Sequence, residues 1–307
     1  DSIKKNLILI AGTIASFEPV SILVSKTDTK ELKRLLGSLD TYHYPINMVE
    51  SDINTTWLRN IAPTFVLTQE GNKGGVNFHF TSEKEDAEFN SQNIDSMTTL
   101  TKAKVIHSNL KLKGGCIEVD GSGTGILTES CIINDNLNPD WEKKEIESEL
   151  KILLGLKKII WLKGSDDKEN KNANTDFYVR FVKEGVVLVH RNNDESSSEY
   201  ALTRENIKIL QKSTDTKGKA LDVVVIDAPK NINKDSKKND FSAGYLGYYL
   251  CNRAVIMQSF GDEEADYRAN KILQLAFPER TIEQIQIEAI SSAQGTIHKT
   301  TQQEPAL

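Results

Sequence analysis

The chain contains 307 residues, of which 38% are hydrophobic, and it carries a formal net charge of −6 at pH 7. This length is enough for one large globular domain or two modest ones. The acidic balance gives no reason to expect nucleic acid or an anionic membrane surface as a general partner. No apolar run approaches the ~20 residues of a membrane-spanning helix.

Three cysteines are present, Cys116, Cys131 and Cys251. A set so small and odd in number predicts no disulfide framework. It is consistent with a reducing intracellular or organellar compartment. The chain begins at Asp1 instead of methionine, so we expect a processed or excised N-terminus.

Amphipathic helices are predicted along the chain from apolar residues at helical spacing. They lie in residues 27–39, 140–156, 202–213 and 262–280, with a weaker candidate at 82–92. The last three begin near residues 142, 203 and 264. Their spacing indicates an internal repeat of about 60 residues.

Short β-branched and apolar segments between the helices predict strands. They lie at residues 158–164, 177–182, 185–191, 221–229, 252–261 and 285–293, and a hairpin is expected to turn at Glu184-Gly185. Each repeat thus contains several strands and one helix, which favours an α/β fold of units arranged as blades. The polar segments 163–176 and 231–242 predict loops, either solvated linkers or the rims of a central site.

Five segments, in order along nearly the whole chain, carry a family resemblance. They are WLRNIAPTF from Trp57, KGGCIEVDGSGTGILTESCIIN from Lys113, NTDFYVRFVKEGVV from Asn174, GYLGYYLCNRAVIMQSFGD from Gly244 and QGTIHKTTQQEP from Gln294. The chain resembles the agmatine deiminases and the bacterial peptidylarginine deiminases of the guanidino-group-modifying superfamily. The resemblance implies a five-bladed, pseudo-symmetric α/β propeller of ββαβ units. It also implies a single domain over residues 1–307 that lacks the family's opening segment.

Deimination of a guanidinium group makes three chemical demands. A thiolate must attack the central carbon. Carboxylates must hold the nitrogens in a fork geometry. A histidine must deliver a proton to the leaving ammonia and then activate water.

The resemblance assigns these roles to positions that are altered in this chain. Lys299 stands where the family has its nucleophilic cysteine, and Asn174 stands where it has its catalytic histidine. Asn60 replaces a substrate-binding aspartate, Lys113 replaces a glutamate, and Gly247 replaces an asparagine. The positions that still match the family, and that we expect to line a remnant cleft or support it, are Trp57, Arg59, Gly114, Gly115, Glu118, Asp120, Asp176 and His298.

Five altered roles in five separate segments predict a catalytically degenerate member, because drift after loss of catalysis changes many site positions while the scaffold residues stay. The replacements also add about four positive charges to a site built for a cation. We therefore expect binding of agmatine or arginine to be weak or absent.

Two residues have a second interpretation as replacement nucleophiles. Cys116 is either a small buried strand residue or a new thiol nucleophile. Lys299 is either paired with Asp176 or Glu118, or a nucleophilic amine with a lowered pKa. For His298, structural packing is favoured over catalysis.

The remaining motifs predict no cofactor and no metal. His79, His107 and His190 lack the spacing of metal ligands along the sequence. The GSGTG segment at Gly121 precedes a predicted strand instead of a helix, so it is not a dinucleotide or phosphate fingerprint.

Three functions follow as hypotheses. The first is a pseudoenzyme that serves as a binding or structural subunit of a protein assembly, with protein partners or a second copy of itself. The second is a sensor that binds an anion between Lys113, Lys299 and Arg59. The third is a residual or altered hydrolase of a guanidino compound, which would need Cys116 as its nucleophile.

Overall fold

The computed structural model describes residues 2–37, 42–53, 55–79, 97–133, 137–164, 174–230, 232 and 243–306. The chain divides into two compact units. One comprises Asp1–Trp57 with Pro229–Thr301, and the other comprises Leu58–Ala228 with Gln302–Leu307. The weak helix candidate at 82–92 and most of the two predicted loops lie outside the described residues.

Fourteen strands are described, and they form five small sheets. In chain order they are β1 (Val20–Val24), β2 (Ile46–Glu50), β3 (Thr64–Leu67), β4 (Lys73–Asn77), β5 (Lys104–His107), β6 (Ile117–Val119), β7 (Thr124–Thr128), β8 (Lys158–Leu162), β9 (Val179–Lys183), β10 (Val186–Arg191), β11 (Asp222–Asp227), β12 (Tyr249–Cys251), β13 (Ala254–Ser259) and β14 (Thr281–Gln286).

The helices with defined ends are named in the same way. They are α1 (Ser2–Ala15), α2 (Thr29–Leu36), α3 (Leu58–Ile61), α4 (Glu129–Ile132), α5 (Lys143–Leu154), α6 (Thr175–Tyr178), α7 (Glu199–Gln211), α8 (Glu263–Ala276), α9 (Glu288–Ser292) and α10 (Ile297–Thr300), and a 3-10 helix spans Gly114–Cys116. Among the described residues, no helix combines the length and the apolar character that crossing a membrane requires.

Four of the five sheets share one topology. In β3-β4-β5, β6-β7-β8, β9-β10-β11 and β12-β13-β14, the first two strands pair antiparallel and the second and third pair parallel. A parallel pair needs a crossover connection, and α5, α7 and α8 provide it in the last three sheets. The fifth sheet joins β1 and β2 in parallel through α2. The predicted repeat of strands and one helix is confirmed.

The strongest sequence patterns match the observed elements closely. Helices α5, α7 and α8 begin at Lys143, Glu199 and Glu263, which preserves the repeat of about 60 residues. The predicted hairpin is formed by β9 and β10, and Gly185 at its turn has a φ of 73°, a conformation that glycine adopts without steric cost.

The prediction of a single strand over 285–293 was wrong. Strand β14 ends at Gln286, and α9 follows at once. Ile287 and Ile290 are both fully buried, and their spacing of three residues places them on one face of a helical turn. Helix α1 was not predicted at all, although Ile10, Ile14 and their neighbours bury one face of it.

Each unit has its own apolar core. In the first unit, Ile10 and Ile14 of α1 pack with Tyr249, Ile256 and Ile290. In the second unit, one cluster surrounds Leu127, Ile146 and Leu150, and another surrounds Ile160, Val189 and Leu210. These cores fix the sheets on which the candidate site is built.

His190 is an exception within the second core. It lies in β10, is 1% exposed, and its ring centroid is 4.6 Å from that of Phe177. Neither ring nitrogen has a hydrogen-bond partner among the described residues. Burial disfavours the charged imidazolium and lowers its pKa from 6.5 to about 4, although Asp227 acts in the opposite direction.

This burial predicts a specific loss of stability in acid. Between pH 6.5 and 4 the unfolded chain takes up a proton at His190 that the folded chain does not bind. The free energy of unfolding should therefore fall as the pH is lowered through this range, by up to about 3 kcal/mol from this residue. Urea unfolding of the parent and of His190→Leu at pH 7, 5.5 and 4 measures the effect.

The variant should lose stability less steeply than the parent as the pH falls. His43→Gln, which changes an exposed histidine, is the matched control and should follow the parent. Parallel pH curves for the parent and His190→Leu would contradict the assignment.

Candidate active site

Two adjacent glycines allow three functional segments of the second unit to meet. A Cβ atom at Gly114 would lie 2.5 Å from the carbonyl oxygen of Arg59. A Cβ atom at Gly115 would lie 2.8 Å from Asp176 Oδ2 and 3.1 Å from Asn174 Nδ2. Real Cβ atoms do not come this close, so glycine is required here by contact distance. The structure thus brings together three of the residues that the sequence assigned to one site.

Asn174, in place of the expected histidine, is held inside this cluster. It is 5% exposed, and its Oδ1 lies 3.6 Å from Cys116 Sγ and 3.7 Å from Cys131 Sγ. The next residue, Thr175, donates a hydrogen bond to the carbonyl oxygen of Cys116, 2.6 Å away. A carboxamide is neither protonated nor deprotonated near neutral pH, so Asn174 cannot perform the acid–base step of a histidine.

Cys116 and Cys131 form a disulfide, with their Cα atoms 5.9 Å apart. This corrects the expectation that the cysteines are unpaired, and the inference of a reducing compartment loses its support. Cys131 lies in α4. Cys251 remains a free, buried thiol, and burial raises its pKa to about 12.

Two basic residues and an asparagine lie at or beside the segments that meet at the glycine pair. Arg59 is 7% exposed, and its Nη2 donates to Gln303 Oε1 at 2.5 Å. Asn60 has a buried Oδ1 with no hydrogen-bond partner among the described residues. Burial lowers the pKa of Lys113 below its ordinary value. Asn60 and Lys113 are the two positions at which the resemblance predicted carboxylates.

Gln303 was not recognised from the sequence as a site residue. It belongs to the segment QGTIHKTTQQEP, which was one of the five that carried the resemblance. The next residue, Glu304, forms an ion pair with Lys73, which is 9% exposed. The end of that segment thus anchors Arg59 and Lys73 within the second unit.

Glu118 and Asp120, the other two carboxylates predicted at the site, are engaged in structural contacts. Glu118 accepts from Arg180 Nε at 3.1 Å and from the Phe181 backbone N–H at 3.0 Å, and both side chains of the ion pair are nearly buried. Asp120 Oδ1 accepts from the backbone N–H groups of Ser122 and Thr124 and so stabilises the turn between β6 and β7. Glu118 thus links β6 to β9. Its carboxylate accepts from Arg180 and Phe181, and not from Lys299 as one alternative had predicted.

The position of the family's nucleophile lies in the first unit, at Lys299 in α10. Its backbone N–H donates to Thr296 Oγ1 at 3.1 Å, and its Nζ donates to the carbonyl oxygen of Gln294 at 3.2 Å. Nζ also lies 5.5 Å from the centroid of the Trp57 ring. Carbonyl and aromatic contacts of this kind stabilise an ammonium ion.

Gly247 and His298 complete this part of the first unit. His298 is 3% exposed, and its backbone N–H donates to the carbonyl oxygen of Gly247 at 2.9 Å. A Cβ atom at Gly247 would overlap the Thr296 side chain, 2.6 Å from its Cγ2. An asparagine at 247 is therefore incompatible with Thr296 in its present position.

No group of three or more histidine, cysteine, aspartate or glutamate side chains converges on one point within the part of the chain that the structure describes.

The sequence model of the Porphyromonas-type peptidyl-arginine deiminases matches residues 1–305. The chain belongs to this family. The agmatine deiminase of Medicago truncatula is 30% identical over 335 aligned positions that cover 97% of this chain and 87% of the plant protein.

Solved structures agree with the family assignment. The agmatine deiminase of Enterococcus faecalis has a TM-score of 0.85 at 26% identity, over 97% of this chain and 86% of the bacterial one. The agmatine deiminase of C. jejuni, at 20% identity, shares the fold with a TM-score of 0.82 over 97% of this chain and 85% of its own. These likenesses confirm the predicted α/β propeller class of the family.

The crowding at Gly247 predicts that even a methyl group there is destabilising. Gly247→Ala should lower the free energy of unfolding by about 1–3 kcal/mol, because its Cβ overlaps Thr296. Gly37→Ala is the matched control, since the nearest atom to its Cβ is 3.4 Å away and its φ of −67° suits alanine. Denaturant unfolding of both variants provides the measurement.

In a Thr296→Gly background, Gly247→Ala should lower the free energy of unfolding less than it does in the parent, because the colliding side chain is gone. Equal losses from Gly247→Ala in the two backgrounds would show that Thr296 is not the colliding group.

The disulfide predicts a simple thiol count. Protein isolated without reductant and unfolded in an alkylating reagent should be modified only at Cys251, and at three cysteines after reduction. Because the bond closes a loop with a sequence separation of 15, its reduction should cost about 3 kcal/mol of stability. Mass spectrometry and denaturant unfolding measure the two effects, with Cys251→Ser as the control that leaves the bond intact. Three modified thiols before reduction would contradict the pairing.

Proposed function

We propose that this member of the family is a pseudoenzyme, which uses the deiminase fold as a binding or structural subunit of a protein assembly. The observation that carries the proposal is Lys299 at the place of the nucleophilic cysteine. An ammonium group that donates to the Gln294 carbonyl and faces the Trp57 ring has no lone pair with which to attack carbon.

The second possible nucleophile gives no route back to catalysis. Cys116 is fully buried and joined to Cys131, and a disulfide sulfur is not a thiolate. This argues against the hypothesis of a residual or altered hydrolase that depends on Cys116.

The proton-transfer and substrate-binding roles support the same proposal. Asn174 cannot carry a proton, and Asn60 and Lys113 supply no negative charge for a guanidinium. Glu118 is already committed to Arg180. Agmatine or arginine would therefore lose fork-like carboxylate contacts and meet an ammonium group in their place.

One observation favours anion binding as a second candidate function. Lys113 is partly buried, and burial lowers its pKa. An anion beside Lys113 would offset this desolvation and restore the charged form. If phosphate or citrate binds there, it should raise the melting temperature of the parent more than that of Lys113→Met.

The proposal predicts no turnover. Purified protein at high concentration, offered agmatine, free arginine or arginyl peptides, should release neither ammonia nor a ureido product above the buffer background. Correct folding is verified in the same sample by a cooperative unfolding transition. Turnover that survives repurification and scales with protein concentration would overturn the proposal.

Restoring only the nucleophile should also fail. In Lys299→Cys the thiol returns, but proton transfer and the substrate carboxylates remain absent, and effects of groups that act as a unit are not additive. A variant that also carries Asn60→Asp, Lys113→Glu and Asn174→His is the informative comparison, with a deiminase of the family as the positive control. Activity in Lys299→Cys alone would mean that the remaining site is still competent.

The assembly role has its own measurement. The protein in an extract of its source cells should elute at a larger mass than the purified chain, and the co-eluting subunits should be separable by high salt or mild denaturant. Identical elution of the two samples would argue against a stable assembly.

A further inference from the structure

Two histidines of the second unit meet at the carboxyl ends of the parallel strands β4 and β5. Strands β4 and β5 are parallel, with Asn77 directly opposite His107. His79 follows two residues after the end of β4. His79 Nε2 lies 3.2 Å from His107 Nδ1, and the ring centroids are 5.4 Å apart.

The fold holds His79 in place for this contact. Its backbone N–H donates to Asn77 Oδ1 at 2.8 Å, and Asn77 is 1% exposed. His79 has a φ of 46°, in the left-handed region that non-glycine residues rarely adopt. This backbone conformation and the Asn77 contact orient His79 so that its imidazole meets that of His107.

We propose that His79 and His107 form a two-imidazole site for a divalent transition-metal ion of the zinc and copper class. A tetrahedral ion bound at 2.0–2.1 Å by two nitrogens sets them about 3.3 Å apart. The observed separation of 3.2 Å matches this value.

Metal binding requires only a small rearrangement. The two nitrogens now share a hydrogen bond, so one of them carries a proton. That proton moves to the other nitrogen of the same ring, and each ring rotates by about 35° to aim its lone pair at the ion. The ring torsions of histidine are soft, and His107 is exposed, so neither movement disturbs a packed core.

The ligand set selects the class of ion. Neutral imidazoles bind zinc, copper and nickel, whereas calcium and magnesium require oxygen ligands. Among the described residues, no third histidine, cysteine, aspartate or glutamate joins the pair. The bound ion would connect the turn after β4 to the end of β5. This proposal does not depend on whether the protein is catalytic.

The test is a titration of the chain with Zn²⁺, in which isothermal titration calorimetry measures the heat of binding. His79→Gln and His107→Gln should each weaken the tightest binding event by at least about tenfold. His43→Gln, which removes an exposed histidine of the other unit, should leave it unchanged. Because protonated imidazole is not a ligand, the tight event should also weaken in acid.

A Cu²⁺ titration followed by electron paramagnetic resonance provides a second readout that does not rely on affinity. The parent should show two equivalent nitrogen ligands, and His107→Gln should show one. Circular dichroism of each variant confirms folding, which the surface position of His107 should preserve. Equal zinc affinity in the parent, His79→Gln and His107→Gln, or a one-nitrogen copper spectrum in the parent, would overturn the proposal.

Discussion

The close approach of three chain segments at Gly114 and Gly115 is the constraint on which the candidate site depends. Arg59 reaches one glycine through its backbone, and Asn174 and Asp176 reach the other through their side chains. Any larger residue at either position would force these segments apart. Glycine at both positions therefore permits Arg59, Asn174 and Asp176 to lie against the same short segment.

The retained and the altered residues separate by physical role. Gly114, Gly115 and Asp176 fill a crowded contact, and Trp57 packs against Gly295. The positions at which the resemblance predicted catalytic and substrate-binding groups hold Asn60, Lys113, Asn174 and Lys299. Packing is sensitive to each added or removed atom, whereas a change of proton donor can leave the fold stable. The proposed loss of catalysis is therefore compatible with the family scaffold.

Much of the fold could be predicted because its determinants are local. Apolar residues at helical spacing identified α5, α7 and α8, and β-branched runs identified β8, β10 and β13. The end of the predicted strand over 285–293, from Ile287 onward, was assigned wrongly because its isoleucines suit a strand and a helical turn equally well. Burial of Ile287 and Ile290 decided between the two, and burial depends on the tertiary fold.

The sequence by itself determined the family and the repeated unit, and it predicted which site positions differ from the family pattern, since these are properties of residue identity and order. Only the tertiary structure decided which distant residues became partners. Cys116 met Cys131 across 15 positions, Glu118 met Arg180 across 62, and His79 met His107 across 28. No local spacing indicates such pairs, because strands that are neighbours in a sheet are joined by loops and helices of any length. Contact between their ends is therefore fixed by strand register and not by distance along the chain.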